Sequence, residues 1–379
     1  MLQQAAFTNR RPSVERELDA ARAAIRRAAR WHRGSNASAA PGRWFRGDDV
    51  DYALLARVYR NPAAFHRSYV EMERRFKVYV YAEGEPPILH AGPCKNIYTI
   101  EGRFIEQLEL LAPPAAGVRT WDADRAHAFF LPFSVVQMGP DASKGDPELY
   151  ANGIRALCNA NTSEGFRPGR DVSIPEINLY DGDTPRQLLG SSPGLSARPY
   201  LAFFAGGRHG HVRDLLLRHW KGHDPATFPV YEYDLPSSTG SNSSSSHNRR
   251  GRDRQSDYFA YMHLSRFCLC PSGHEVASPR VVEAIHAGCV PVLVSDGYAL
   301  PFADVLRWES FSVSVPVADI PRLKEVLERI PTAEVERLWD GVRLVKRHFT
   351  LRQPPERLDM FHMILHSVWL RRLNFRLDH

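Results

Sequence analysis

The residues best placed to do chemistry lie in one stretch, Cys270 to Asp296, which reads CPSGHEVASPRVVEAIHAGCVPVLVSD. A buried strand ends at Cys270, and Pro271, Ser272 and Gly273 make the turn. Ser278 can cap the helix that follows, with Pro279 at its first position. A helix N-terminus offers free N–H groups and a positive dipole to an anion. Arg280 in the first turn adds a planar fork suited to phosphate oxygens. Glu283, three residues on, shares the Arg280 face and can accept hydrogen bonds from ribose hydroxyls. The arrangement suits a nucleoside diphosphate. The same spacing also fits an ion pair on the helix surface with no ligand, and spacing alone does not choose between the two.

A second stretch, Phe203 to Arg213, reads FFAGGRHGHVR. Gly206 and Gly207 after a buried strand let a ligand approach the backbone, and Arg208 and Arg213 can neutralise phosphate. Strand-to-helix turns need glycine for geometry anyway, so this turn gains meaning only if it lies beside the first. In a parallel sheet it would. Other polar residues read as structural. His286 is expected to be a packed histidine, and Asp296 with Gly297 an ordinary turn. His362 and His366, four apart, resemble a metal pair only superficially, with no third ligand evident; no metal is expected. Cys268 and Cys270 share a strand face and cannot form a Cys-x-x-Cys redox pair. Five cysteines are too few and too scattered for a disulfide scaffold.

The elements that must hold these residues alternate between strand and helix. Tyr200 to Ala205 (YLAFFA), Phe267 to Cys270 and Val290 to Val294 are short apolar runs, the signature of strands buried on both faces. Helices are expected at His211 to Trp220 and 278–287, strands at Val230 to Tyr233 and Phe311 to Val315, and helices near 319–329, 332–348 and 355–371. The chain's second half therefore reads as a doubly wound domain, which binds ligands outside the carboxyl ends of its strands. Upstream, a strand at Phe76 to Tyr81, a helix at Glu101 to Leu111 and a strand at Ala126 to Phe133 make a second βαβ-type start. A helix over about 51–75 precedes them. Residues 13–33 read as an exposed Ala/Arg helix capped by Ser13, a stem with little to bury, and 34–42 as a linker. The Ser/Asn/Arg stretch 237–256 reads as a solvated loop.

With 379 residues and 43% hydrophobic content the chain is long enough for two domains and is not disordered overall. Its net charge of +6 is carried by three segments: ten Arg against five acids in residues 1–50, the run Arg249 to Arg254, and the last nine residues. The rest is slightly acidic, so the charge does not describe a nucleic-acid-binding face and no nucleic-acid partner is expected. Apolar runs are too short to span a membrane as the chain stands, and no signal peptide is visible at the N-terminus. Sequons at Asn36, Asn161 and Asn242 permit glycosylation in a secretory compartment.

The stretch CPSGHEVASPRVVEAIHAGCVPVLVSDGYALPFADVLRW resembles the nucleotide-sugar-binding half of the exostosin-type glycosyltransferases of family 47, in their plant branch. FKVYVYAEGEPP, EGRF at Glu101 to Phe104, AHAFFLPFS, Leu157 to Leu179 and FHMILHSVWLRRLN are similar to other parts of the same family, so the resemblance covers most of residues 50–375. It implies a GT-B-like fold of two Rossmann-like α/β domains facing a cleft, and inverting, metal-free transfer from a UDP-sugar donor to a glycan acceptor, a wall polysaccharide or glycoprotein. No cofactor is implied. Golgi residence through an N-terminal anchor is, and homo- or hetero-oligomers are compatible with it.

By position, Arg280 and Glu283 would hold the donor's diphosphate and ribose. Ser272, Gly273, Glu275 and Ser278 would line the pocket, and Gly206, Gly207 and Arg213 would close it from the neighbouring turn. The catalytic base is not assigned. Family members carry a longer segment between the FFLPFS-like and CNANTSEGF-like stretches, so the N-terminal lobe is expected to be shortened; a UDP-binding but inactive protein is the alternative. The expected division is a stem and linker over 1–50, an acceptor-side α/β domain over 51–190, and a nucleotide-sugar domain over 191–350 with the insert 237–256. A C-terminal helix over 351–379 packs across the lobes.

Overall fold

Residues 11–34, 56–81, 99–110, 117–131, 153–179, 184–190, 192–236 and 247–374 are described by the computed structural model. Two parallel sheets organise them, each built from short strands, in keeping with a GT-B-like α/β fold. The smaller has the order β2-β1-β3, with β1 at Val78–Val80, β2 at Arg119–Thr120 and β3 at Ala128–Phe130. Helices α1 (Arg11–Gly34), α2 (Pro62–Arg75) and α3 (Ile100–Leu110) accompany it. Asn61 caps α2, its Oδ1 accepting from the Ala64 N–H at 2.9 Å, so α2 starts well inside the expected 51–75 span. A two-stranded parallel pair, β4 (Ala156–Leu157) and β5 (Val172–Ser173), follows.

The larger sheet contains β6 (Tyr200–Ala205), β7 (Val230–Tyr231), β8 (Ser265–Pro271), β9 (Val290–Val294) and β10 (Val313–Val315) in the order β10-β9-β8-β6-β7, all parallel. Every residue of β9 and all but Arg266 in β8 are buried, as continuous apolar strands under two helical layers must be. The connecting helices are α4 (His211–Trp220), α5 (His247–His263) and α6 (Arg280–His286). In chain order the strands read 5-4-3-1-2. The chain thus winds outward in both directions from the β6/β8 pair, and that pair is the topological switch point at which doubly wound sheets bind ligands.

Helices α7 (Thr332–Val345) and α8 (Met360–Asn374) close the chain. Trp369 of α8 is fully buried, 5.4 Å from the Phe76 ring, and Phe361 lies 5.1 Å from Phe104. Arg371 donates to the Asp171 carbonyl at 2.8 Å and to Asp304 Oδ2 at 2.8 Å, joining both halves.

Three expectations are corrected here. Helix α1 is no exposed stem: Leu18 and Ala21 are fully buried, Arg22 donates to the Leu373 carbonyl at 2.7 Å, and the helix lies against α2. Alanines let two helix backbones approach closely, so a stripe poor in large residues still buries well. Ser13 falls within this helix, which begins at Arg11. The expected loop 237–256 is helical from His247, where α5 begins, and Phe259 and Met262 anchor that helix in the core; residues 237–246 lie outside the described residues. Finally, Cys268 and Cys289 form a disulfide across 21 residues, a pairing that the count of scattered cysteines did not suggest.

Candidate functional site

The two turns singled out in the sequence meet at the switch point. Gly206 and Gly207 follow β6, Ser272 and Gly273 follow β8, and the strands are direct neighbours. A Cβ on Gly210 (φ +82°) would collide with the Gly273 carbonyl, so the turns are in contact. Arg213, on the first turn of α4, is 9% exposed; its Nε points to the Pro271 carbonyl at 3.4 Å, beneath the second turn. Arg280 reaches the other way. Its Nη2 donates to the Ala205 carbonyl at 3.0 Å and its guanidinium lies over the Phe204 ring at 5.0 Å. A Cβ on Gly206 would occupy the place of Arg280 Nη2, and one on Gly207 that of the Tyr233 hydroxyl. These glycines are required by the side chains that cross them.

Glu283 is buried, and the Tyr258 hydroxyl donates to its Oε2 at 2.8 Å. Arg280 and Glu283 are therefore held by different partners, which removes the reading of a surface ion pair. Helix α6 starts at Arg280 with Pro279 at its cap, and Ser278 Oγ accepts from the Arg280 N–H at 3.4 Å from one position further back. The expected Ser278 cap is thus displaced by one residue. Because α6 spans only seven residues, its dipole is short, and the attraction for an anion falls mainly to the Arg213 and Arg280 guanidinium groups. Arg208, by contrast, is engaged with Asp214 at 2.8 Å and Glu232 at 3.1 Å on the surface.

Two site residues went unrecognised in the sequence. Asn159 Oδ1 accepts from the Val276 and Ala277 N–H groups at 2.9 and 3.3 Å, clamping the loop that holds Ser272 to Ser278. Glu176, 3% exposed, faces that loop. Burial, and then the carboxylate of Glu275, push its carboxyl up to about 8, against the pull of Arg213 and Arg280. The segment that carries both is fixed by Asp171, a fully buried carboxylate. Burial would raise it, but hydrogen bonds from Arg155 (3.1 Å) and Arg167 (2.9 Å) prevail and hold it well below the usual carboxylate range.

The exostosin GT47 domain family matches residues 138–330. Two probable glycosyltransferases of Arabidopsis thaliana are similar to the chain: one is 43% identical over 97% of this chain and 80% of its own length, the other 46% identical over 87% and 68%. Exostosin-1c of Danio rerio is 30% identical over 51% of the chain and 26% of its own length. The chain belongs to the plant exostosin-type glycosyltransferases of family 47.

Three histidines of this exostosin-type chain, His286, His362 and His366, have structural partners. His286 Nε2 lies 3.0 Å from the Phe349 carbonyl, and burial pushes its ring down to about 4. His362 pairs with Asp359 at 2.9 Å and His366 with Ser68 at 2.9 Å, so the two do not converge. Gly297 turns at φ +84°, its carbonyl accepting from Thr162 N–H at 3.0 Å. Among the sequons, Asn161 is 8% exposed and its Oδ1 accepts from the Ser163 N–H and hydroxyl; Asn36 and Asn242 lie outside the described residues. Among the described residues no helix is long and apolar enough to cross a membrane.

Proposed function

We propose that the chain transfers a sugar from a UDP-sugar donor to a hydroxyl of a glycan acceptor, a wall polysaccharide or a glycoprotein glycan, with inversion. The observation that carries this reading is the convergence of Arg213, Arg280 and Glu283 on the β6/β8 switch point. Departure of the sugar leaves negative charge on UDP. Two guanidinium groups already fixed in place stabilise that charge without reorganising, so the reading calls on no metal ion. Glu283, anchored by Tyr258, accepts from ribose hydroxyls. Ser272, Gly273, Glu275 and Ser278 form the wall opposite Gly206 and Gly207. Inversion needs a base within hydrogen-bond reach of the acceptor hydroxyl; that base belongs to the acceptor side.

The compartment we propose is the Golgi lumen, with membrane attachment through an anchor other than the described helices. The Cys268–Cys289 disulfide supports an oxidising compartment.

Calorimetric titration of UDP tests the pocket. Wild type is expected to bind, and Arg280→Ala to bind at least roughly tenfold more weakly, as loss of a charge-assisted bond of about 1.5–3 kcal/mol requires. Absence of binding to wild type overturns the donor site. Transfer and donor-hydrolysis assays across UDP-sugars then test turnover; tight UDP binding without turnover would make the chain a nucleotide-binding protein that no longer catalyses.

A further inference from the structure

Glu176 stands where the chain leaves β5, in the run Ser173-Ile174-Pro175-Glu176-Ile177. Ile174 and Ile177 pack into the core, and Glu176 is the one ionisable side chain of that run. It is more than nine-tenths buried, and its Oε2 has no hydrogen-bond partner. The groups that face it come from separate elements: Glu275 from the loop after β8, Arg213 from α4, Arg280 and Glu283 from α6, and the Tyr298 hydroxyl from the turn after β9. Within this group Glu275 Oε2 and Arg280 Nε are also buried without partners. Buried polar atoms are satisfied almost everywhere in folded proteins. Three unsatisfied ones, on Glu176, Glu275 and Arg280, gather where these side chains meet, and that concentration suits a polar ligand.

Charge decides the form in which Glu176 does so. Two guanidinium groups face three carboxyl groups, and a diphosphate brings at least two further negative charges. With all three carboxyls ionised the cluster would repel the diphosphate. Burial and the neighbouring Glu275 keep the Glu176 carboxyl protonated at neutral pH, which removes one negative charge and supplies one O–H donor.

We propose that Glu176 is a donor-binding residue that meets the nucleoside diphosphate as a neutral carboxylic acid, donating its O–H to a phosphate oxygen. The proposal rests on the UDP-sugar reading above. It adds a residue from the segment before the nucleotide-binding sheet to a pocket otherwise built by the turns after β6 and β8.

UDP titrated against the full chain between pH 7 and pH 9 tests it, because the terminal phosphate, with a second pKa near 6, is essentially fully ionised across that range. Wild-type affinity is expected to hold near pH 7 and to fall above about 8, approaching roughly tenfold per pH unit. Glu176→Gln keeps a neutral donor of the same size, so it should bind UDP at pH 7 within about threefold of wild type and lose the pH dependence. Glu275→Gln removes the like charge and should move the wild-type break to lower pH, a readout that survives even if the Glu176 variant folds poorly. The proposal is overturned if wild type is flat to pH 9, if folded Glu176→Gln follows the wild-type profile, or if the Glu275→Gln break stays in place. Arg280→Ala separates the two claims: weakened binding there with failed Glu176 results removes only this proposal. Absence of UDP binding to wild type removes the donor site and the proposal with it.

Discussion

Arg280 lies where it does because Gly206 carries no side chain: the guanidinium crosses the space a Cβ would fill and docks on the Ala205 carbonyl and the Phe204 ring. Gly206→Ala should therefore act on the ligand more than on the fold. The flexible end of Arg280 can swing away, so the melting temperature should change by no more than a few degrees, while UDP affinity falls toward that of Arg280→Ala. A titration showing wild-type affinity for Gly206→Ala would mean that Arg280 does not hold the diphosphate from this position. At this scale the sequence was informative where neighbours in space are neighbours in the chain. Arg280 and Glu283 lie one turn apart on a helix, and the glycines after β6 border the strand they terminate. Asn159 and Glu176 reach the same pocket from more than a hundred residues upstream of Arg280, and no local pattern distinguishes them from the polar residues around them. Glu176 even sits in a run whose spacing looks like ordinary core alternation.

Among the elements, β6, β8 and β9 were readable almost to the residue, because a strand buried on both faces must be continuously apolar and turn residues bound each run. Helix α1 and the start of α5 differ from the sequence expectation for one reason: polar composition does not by itself mean exposure. Side chains of Ala and Arg are also strong helix formers, and a few buried residues (Leu18 and Ala21 in one, Phe259 and Met262 in the other) suffice to dock a mostly polar helix. The disulfide escaped because its cysteines lie 21 residues apart, and only the parallel crossover through α6 brings the body of β8 next to the entry of β9. That bond closes the β8–α6–β9 unit that presents Arg280 and Glu283. By loop-closure entropy, opening a ring of this size should cost about 3 kcal/mol. Cys289→Ser is expected to lower thermal stability by that order and to weaken UDP binding, since the loop from Ser272 to Ser278 sits inside the ring. If chemical denaturation gave the variant wild-type stability, the bond would be dispensable to this unit.

At the scale of the whole molecule, α8 links the halves. It begins against the turn that follows α7, where the Met360 N–H donates to the Thr350 carbonyl. It ends against the smaller sheet, with Trp369 between Phe76 and His127 and Arg371 spanning Asp171 and Asp304. The sequence suggested a helix across the lobes but not its partners, because the aromatic residues that receive it are separated from it by most of the chain. If α8 couples the halves, a ligand held by one half must stabilise both. UDP at about a hundredfold its dissociation constant adds about 2.7 kcal/mol to whatever unfolds together with its site. Wild type should then show one thermal transition, followed equally by tryptophan fluorescence and far-ultraviolet circular dichroism, that moves up as a unit with UDP. Trp369→Ala removes a fully buried side chain, costs about 3–5 kcal/mol, and loosens α8 from the smaller sheet only. In that variant UDP should raise the transition of the half that holds the larger sheet and leave an earlier, ligand-insensitive one for the rest. Two transitions in wild type, with UDP moving only one of them, would show instead that the halves unfold independently and that α8 carries no coupling between them.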